Sequence, residues 1–156
     1  MRHVQIVPAT PEHAAALLPR VRQADADEFY AAALMSPDEV IRRSMSASTI
    51  CFAGLVDGEV IALFGVVPAS ILTGFGVPWL VATESMERYQ VTFLRHCRPV
   101  VRRMLSVYPR LENFIDARNY TAKIWLRWLG FTIDDPIPYG ALKLPFHHFE
   151  LRANHV

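Results

Sequence analysis

From Val60 to Thr83 the chain carries no charged residue. A run of that length either crosses a bilayer as one helix or is buried inside a globular core. Its breakers decide between the two: Gly65, Pro68, Gly74, Gly76 and Pro78 divide it into pieces of strand length, and those pieces are rich in Val and Ile. A helix would be interrupted at each proline, whereas short apolar runs bounded by Gly and Pro suit buried strands. The stretch therefore reads as strands over Val60–Val67 and Val77–Ala82, and no membrane span is expected. Ahead of it, Ile50–Val56 is a further apolar run, separated from Val60 by Asp57-Gly58-Glu59. Asp-Gly between such runs predicts a tight antiparallel hairpin.

The remaining elements fall around this centre. Val4–Val7 reads as a strand that stops at Pro8. Thr10-Pro11-Glu12 then supplies a helix cap, a first-turn proline and a carboxylate near the positive end of the helix dipole. The helix begun there carries Ala14, Leu17, Leu18, Val21 and Ala24 at helical spacing, with Pro19 expected to bend it. Ser36-Pro37-Asp38-Glu39 opens a second helix. Between Glu84 and Tyr108 the apolar positions recur at three and four while five arginines fall largely elsewhere, which predicts a long amphipathic helix with a solvated basic face. Leu111–Ala117 reads as a strand, Asn119–Phe131 as a helix, and Phe131–Ile133 and Leu144–Leu151 as closing strands. Hairpins combined with a strand-helix-strand crossover predict an α/β fold: one domain over residues 1–156, with a central mixed sheet and helices on both faces.

Composition narrows the functional classes. Hydrophobic residues make up 52% and charged residues 20%, which excludes a disordered chain. A formal charge of +1 gives no bulk electrostatic reason to expect nucleic acid or an anionic membrane as partner. Two cysteines, Cys51 and Cys97, form no disulfide framework or zinc-ligand spacing, and the N-terminus has no secretory apolar segment, so the expected location is the cytoplasm. His147 and His148 are neighbours in a predicted strand and face opposite ways, so no shared metal ion is expected.

The stretch NYTAKIWLRWLGF, from Asn119 to Phe131, holds a cap residue, a core face of Ala122, Trp125, Leu126 and Leu129, and Gly130 where a left-handed residue ends a helix. Its Asn-x-x-Ala and Leu-Gly-Phe spacing, with the element order above, resembles the last crossover of the GNAT superfamily of N-acetyltransferases, where the pattern reads N-x-x-A-x-x-L-Y-x-x-x-G-F. Asn119, Ala122, Gly130 and Phe131 match, while Leu126 stands where the family's proton-donating Tyr is usual. The family's pyrophosphate loop, [Q/R]-x-x-G-x-[G/A], has no counterpart, because no glycine occurs between Gly76 and Gly130. Over nearly the whole chain, the phrases ALFGVVP, GVPWLVATESMERYQVTFLRHCR, YPRLENFIDARN, WLRWLGF and PYG followed by PFHHF are similar to small phage and prophage proteins related to the internal virion protein of T7-like bacteriophages.

The resemblance implies acetyl-CoA as acyl donor and an amine as acceptor. It implies a donor site made by Asn119, Ala122 and the main chain of Trp79, Leu80, Val81 and Ala82, with Thr83, Ser85 and Arg88 at the helix start as an anion grip in place of the missing loop. Glu84, just past a buried strand, is the expected general base, and Tyr139 could supply the hydroxyl that Leu126 lacks. The bland readings stand beside these: Glu84 as a first-turn carboxylate, Asp116 as a salt bridge to Arg118 or to a helix arginine. The phage likeness implies an alternative: a virion-associated, non-catalytic protein working by contact with a phage or host protein. Fold cannot choose between the two.

Overall fold

The computed structural model describes residues 2–70 and 72–155. In chain order the elements are β1 (Val4–Pro8), α1 (Pro11–Leu17), α2 (Gln23–Ala33), α3 (Pro37–Ala47), β2 (Ile50–Val56), β3 (Glu59–Pro68), β4 (Phe75–Ala82), α4 (Ser85–Val107), β5 (Arg110–Asp116), α5 (Tyr120–Trp128), β6 (Thr132–Tyr139) and β7 (Leu144–Arg152). The seven strands form one sheet in the order β1-β2-β3-β4-β5-β7-β6. Only β4 and β5 run parallel, which makes the sheet mixed as expected. The uncharged stretch is β3 and β4, and among the described residues no helix is long and apolar enough to cross a membrane.

Two apolar layers enclose the sheet. One joins β3, β4 and β5 to α4 and α5 through Phe64, Met86, Phe93, Leu111 and Trp125. The other joins the opposite faces of β2, β3 and β4 to α1 and α3 through Leu17, Ile41, Ala53, Leu63 and Val81. The capping signals behave as written in the chain: Thr10 accepts from the His13 N–H and Ser36 from the Glu39 N–H, each within a capping box. Asp57 and Gly58 both take positive φ, the geometry of the tight hairpin turn that joins β2 to β3.

One element departs from the sequence expectation. The first helix does not bend at Pro19 but ends, passing through a short 3-10 turn at Leu18–Arg20, and α2 begins afresh at Gln23. Pro19 has no N–H to continue the helical ladder. The freed residues are extended, so that Val21 bridges to Thr83 and the Arg22 N–H donates to the Ala82 carbonyl at 2.9 Å. This break fixes α2 against the end of β4.

The turn between β6 and β7 docks on the other end of α2. Ala141 and Leu142 donate their N–H groups to the carbonyls of Ala32 and Ala31 at 2.9 and 3.1 Å. Gly140 makes this approach with φ of +77°, and a Cβ there would lie 2.7 Å from the Ala32 Cα. Neither the backbone of α2 nor the left-handed conformation can yield cheaply. Gly140→Ala is expected to destabilise the protein by about 2 kcal/mol in urea unfolding, and an unchanged midpoint would show that the turn does not dock there.

Candidate functional site: a wedge between the central parallel strands

β4 and β5 pair at only two positions, Phe75 with Arg110 and Gly76 with Leu111, and then diverge. Beyond that point side chains span the gap. The Asn113 amide donates to the Pro78 carbonyl at 2.8 Å. At the wide end, the Ala82 N–H on β4 donates to Asp25 at 2.9 Å, and the Asp116 N–H on β5 donates to Glu28 at 2.9 Å. Asp25 and Glu28 stand three apart on α2 and so share a face.

Asn119 and Arg22 join the two carboxylates. The Asn119 amide donates to Asp25 and Glu28, both at 3.3 Å, and accepts from Arg22 at 3.3 Å. Arg22 also donates to Asp25 at 2.9 Å and to Glu87 on α4 at 3.3 Å, and its guanidinium lies 4.8 Å from the Trp125 ring centre. Arg22, Asp25 and Asn119 are each only 3% exposed, so this ion cluster lies in a low-dielectric interior. Burial pushes the Asp25 carboxyl up, with Arg22 and the Ala82 N–H pulling against it. Burial raises Glu28 to about 8, and the nearby Asp25 and Asp116 add to the rise, while the Asp116 N–H and Asn119 oppose it. Glu28 is thus a carboxyl that changes charge near neutral pH.

Both carboxylates line a cavity of about 410 Å³ that passes through the wedge. On the α4 and α5 side its wall is apolar, with Met86, Leu94, Cys97, Val101, Leu126 and Phe131. On the α2 and α3 side it is walled by Phe29, Val40, Val67, Val77, Trp79 and Phe146. Strand alternation puts the main-chain groups of Pro78, Leu80 and Ala82 on the β4 edge that faces the wedge. Pro78 and Ala82 are engaged as described. Leu80 lines the cavity between them, in the part of β4 that β5 does not pair.

The residues predicted from sequence divide. Trp79, Leu80, Asn119, Ala122 and Tyr139 line this cavity, and Tyr139 is stacked on Phe114 with ring centres 4.0 Å apart. Val81 is fully buried in the layer under α1 and α3. Ala82 lends its N–H to Asp25, so its main chain is not open to a ligand. Thr83, expected to help hold an anion, is fully buried with its hydroxyl donating to the Ile61 carbonyl. Ser85 accepts from Arg20 at 3.1 Å, and Arg88 is exposed beside Tyr89. Only Thr83 and Glu84 connect β4 to α4, too few for a phosphate-cradling loop. Glu84 is exposed and lies outside the cavity wall, which Glu28 on α2 does line.

Asn119 begins α5 without a side-chain cap bond, because its amide is turned to Arg22, Asp25 and Glu28. Gly130 does close that helix in the left-handed region, at φ of +103°. Asp116 pairs with Arg118 at 2.7 Å, as its bland reading held. His147 approaches Lys123 on α5, whereas His148 bonds Asp134 and Glu112, so the two rings do face opposite ways. Sequence reasoning missed Arg22, Asp25 and Glu28. Their signal was the ladder of charges at spacing three, hidden while Val21 and Ala24 were assigned to a continuous first helix.

No protein-family model matches the chain, and no curated protein matches it in sequence. Solved structures match its shape. An acetyltransferase of the GNAT family from Streptococcus pneumoniae is 16% identical with a TM-score of 0.64, over 96% of this chain and 99% of that one. An aminoglycoside acetyltransferase in complex with coenzyme A is 14% identical with a TM-score of 0.70, over 98% and 96%. The spermidine N-acetyltransferase of Vibrio cholerae in complex with CoA and spermine is 10% identical with a TM-score of 0.66, over 97% and 96%. The strand order, the parallel pair that splits after two positions and these likenesses agree: the chain has the fold of the GNAT acetyltransferases.

Proposed function

We propose that the protein is an N-acyltransferase that moves an acyl group from an acyl thioester, acetyl-CoA in the simplest case, to an amine. The observation that carries this reading is Glu28, a carboxyl poised near neutrality at the wide end of an open β4–β5 wedge. In the proposed reaction Glu28 removes a proton from the ammonium, and the amine nitrogen attacks the thioester carbonyl. The carbonyl oxygen, as it gains charge, takes the Leu80 N–H. The C–S bond then breaks, the sulfur leaves as thiolate, and the nitrogen gives its second proton to water. A thiol is far more acidic than an alcohol, the cysteine side chain ionising at about pH 8.5, so the thiolate is a tolerable leaving group even with Leu126 in place of Tyr. Tyr139 is the hydroxyl on the cavity wall that would return the proton.

A second reading is favoured by the ion cluster itself. Arg22, Asp25, Glu28 and Asn119 already tie the wedge together, and the turn before α4 has no phosphate loop. On this reading the chain is a non-catalytic phage or prophage protein, of the kind related to the internal virion protein of T7-like bacteriophages. It would act by contact with a phage or host protein, in the host cytoplasm or the virion.

Calorimetry with acetyl-CoA separates the two. Micromolar binding with acetyl transfer to an amine supports the first, and no heat at any reachable concentration leaves the second. Glu28→Gln sharpens the test, since the amide oxygen still accepts from Asp116 and Asn119. Turnover is expected to fall about 100-fold or more, as for loss of a general base. In the wild type, activity should rise with pH as Glu28 ionises around 8. Folded Glu28 holds its proton more tightly than an ordinary carboxyl, so it costs nothing below about pH 4.5 and progressively more stability up to about 8. Glu28→Gln should therefore raise Tm at pH 8 more than at pH 5, and a smaller gain at pH 8 would contradict the assigned ionisation. Arg22→Ala leaves Asp25 buried without its partner, and is expected to cost about 3 kcal/mol in denaturant unfolding.

A further inference from the structure

We infer that the acceptor is a hydrophobic monoamine, an arylalkylamine in kind, bound on the α2 and α3 side of the wedge with its amino group at Glu28 and its ring among aromatic side chains. The identity of the reaction rests on the acyl-transfer reading above, but the binding does not.

The wall decides the substrate class. Phe29, Val40, Val67, Val77, Trp79 and Phe146 offer no hydrogen bond to a ligand, because the one polar atom among their side chains, the Trp79 Nε1, already donates to the Ser48 hydroxyl at 2.7 Å, and the Ser44 and Tyr139 hydroxyls on this side are neutral and supply no counter-charge. The stacked pair of Phe114 and Tyr139, with Phe146 at 5.2 Å from Tyr139, adds an aromatic face to the same wall. Such a surface takes an aromatic ring by offset or edge contact.

The charges agree with the wall. Asp25 and Glu28 are the acidic residues that line the cavity. Asp25 is matched by Arg22 and by the Ala82 N–H, and Glu28 alone is left to meet a cation. A single ammonium is therefore accommodated. A polyamine or an aminoglycoside brings several, and every further ammonium placed among these side chains would be buried without a counter-charge. The polycation-acetylating neighbours thus share the shape of this protein without sharing what the cavity can hold. The cavity, at about 410 Å³, is of ligand-binding size.

The test is titration of the full chain at pH 8.5 with 2-phenylethylamine, spermidine and kanamycin by calorimetry, with thiol release from acetyl-CoA followed separately. Phenylethylamine is expected to bind at least ten-fold more tightly than either polycation. Ser44→Phe, which fills the α3 side of the cavity, is expected to weaken that binding at least ten-fold while the melting temperature is held. Should Ser44→Phe melt early, Val40→Phe one turn before it makes the same test. Tighter binding or faster acetylation of spermidine or kanamycin would overturn the inference and leave the acyl-transfer reading intact. Phenylethylamine bound, lost in the filled variant, yet never acetylated would uphold the pocket and remove the transferase reading. Binding of no amine, or binding indifferent to the filled cavity, would overturn the inference.

Discussion

Two strands that begin side by side and then part leave main-chain amides facing each other across a buried gap, and much of this structure is arranged to satisfy them. The parallel β4–β5 pair lasts for two positions. Beyond it, Ala82 and Asp116 carry N–H groups that would cost about 1–3 kcal/mol each if buried without a partner. Asp25 and Glu28 accept those two donors. That they can do so depends on Pro19, which ends α1, lets Val21 and Arg22 run extended against the end of β4, and so sets the register of α2. Asn119 gives up the usual cap of its own helix to hold both carboxylates, and Arg22 neutralises Asp25.

The fold was largely legible in the chain for local reasons. The breakers within the uncharged stretch marked β3 and β4, Asp57-Gly58 marked their hairpin partner, and the two capping boxes marked α1 and α3. Each of these is a short-range signal whose meaning does not depend on distant neighbours. The site was legible only in part. Asn119 and Ala122 could be singled out because their spacing resembles the last crossover of the GNAT superfamily, and both do line the cavity. The Arg22, Asp25 and Glu28 ladder could not, since its meaning comes from strands some sixty to ninety residues away. Glu84 was drawn in by adjacency to β4, but adjacency in sequence at a strand end says little about which way a side chain then points.

On the proposed reading, the same carboxyl that closes the wedge is the one with chemistry in it. Glu28 is raised toward neutrality by its burial, and the burial follows from its position over the Asp116 N–H. On the proposed reading, structure and reactivity are therefore coupled: ionising Glu28 to make a base also places an uncompensated charge in the gap, and an ammonium bound beside it would relieve that charge. An amine then stabilises the ionised form that abstracts its proton, so binding and activation favour each other.

Two features of the superfamily's pattern are missing here, and they are not equal losses. On the proposed reading, the hydroxyl replaced by Leu126 would act on a thiol leaving group, which is acidic enough to depart as thiolate without help. Its absence taxes the chemical step lightly. The phosphate loop would act far from the reacting carbon, on a part of the donor that is the same before and after transfer. Contacts of that kind contribute equally to ground and transition states, and their loss raises KM far more than it lowers kcat. On the proposed reading, a chain with this wedge and without that loop would hold its donor weakly, or take one whose recognition does not depend on a pyrophosphate. On that reading the specificity left to it resides at the acceptor end, where Phe29, Trp79 and Phe146 shape the wall and Glu28 supplies the charge.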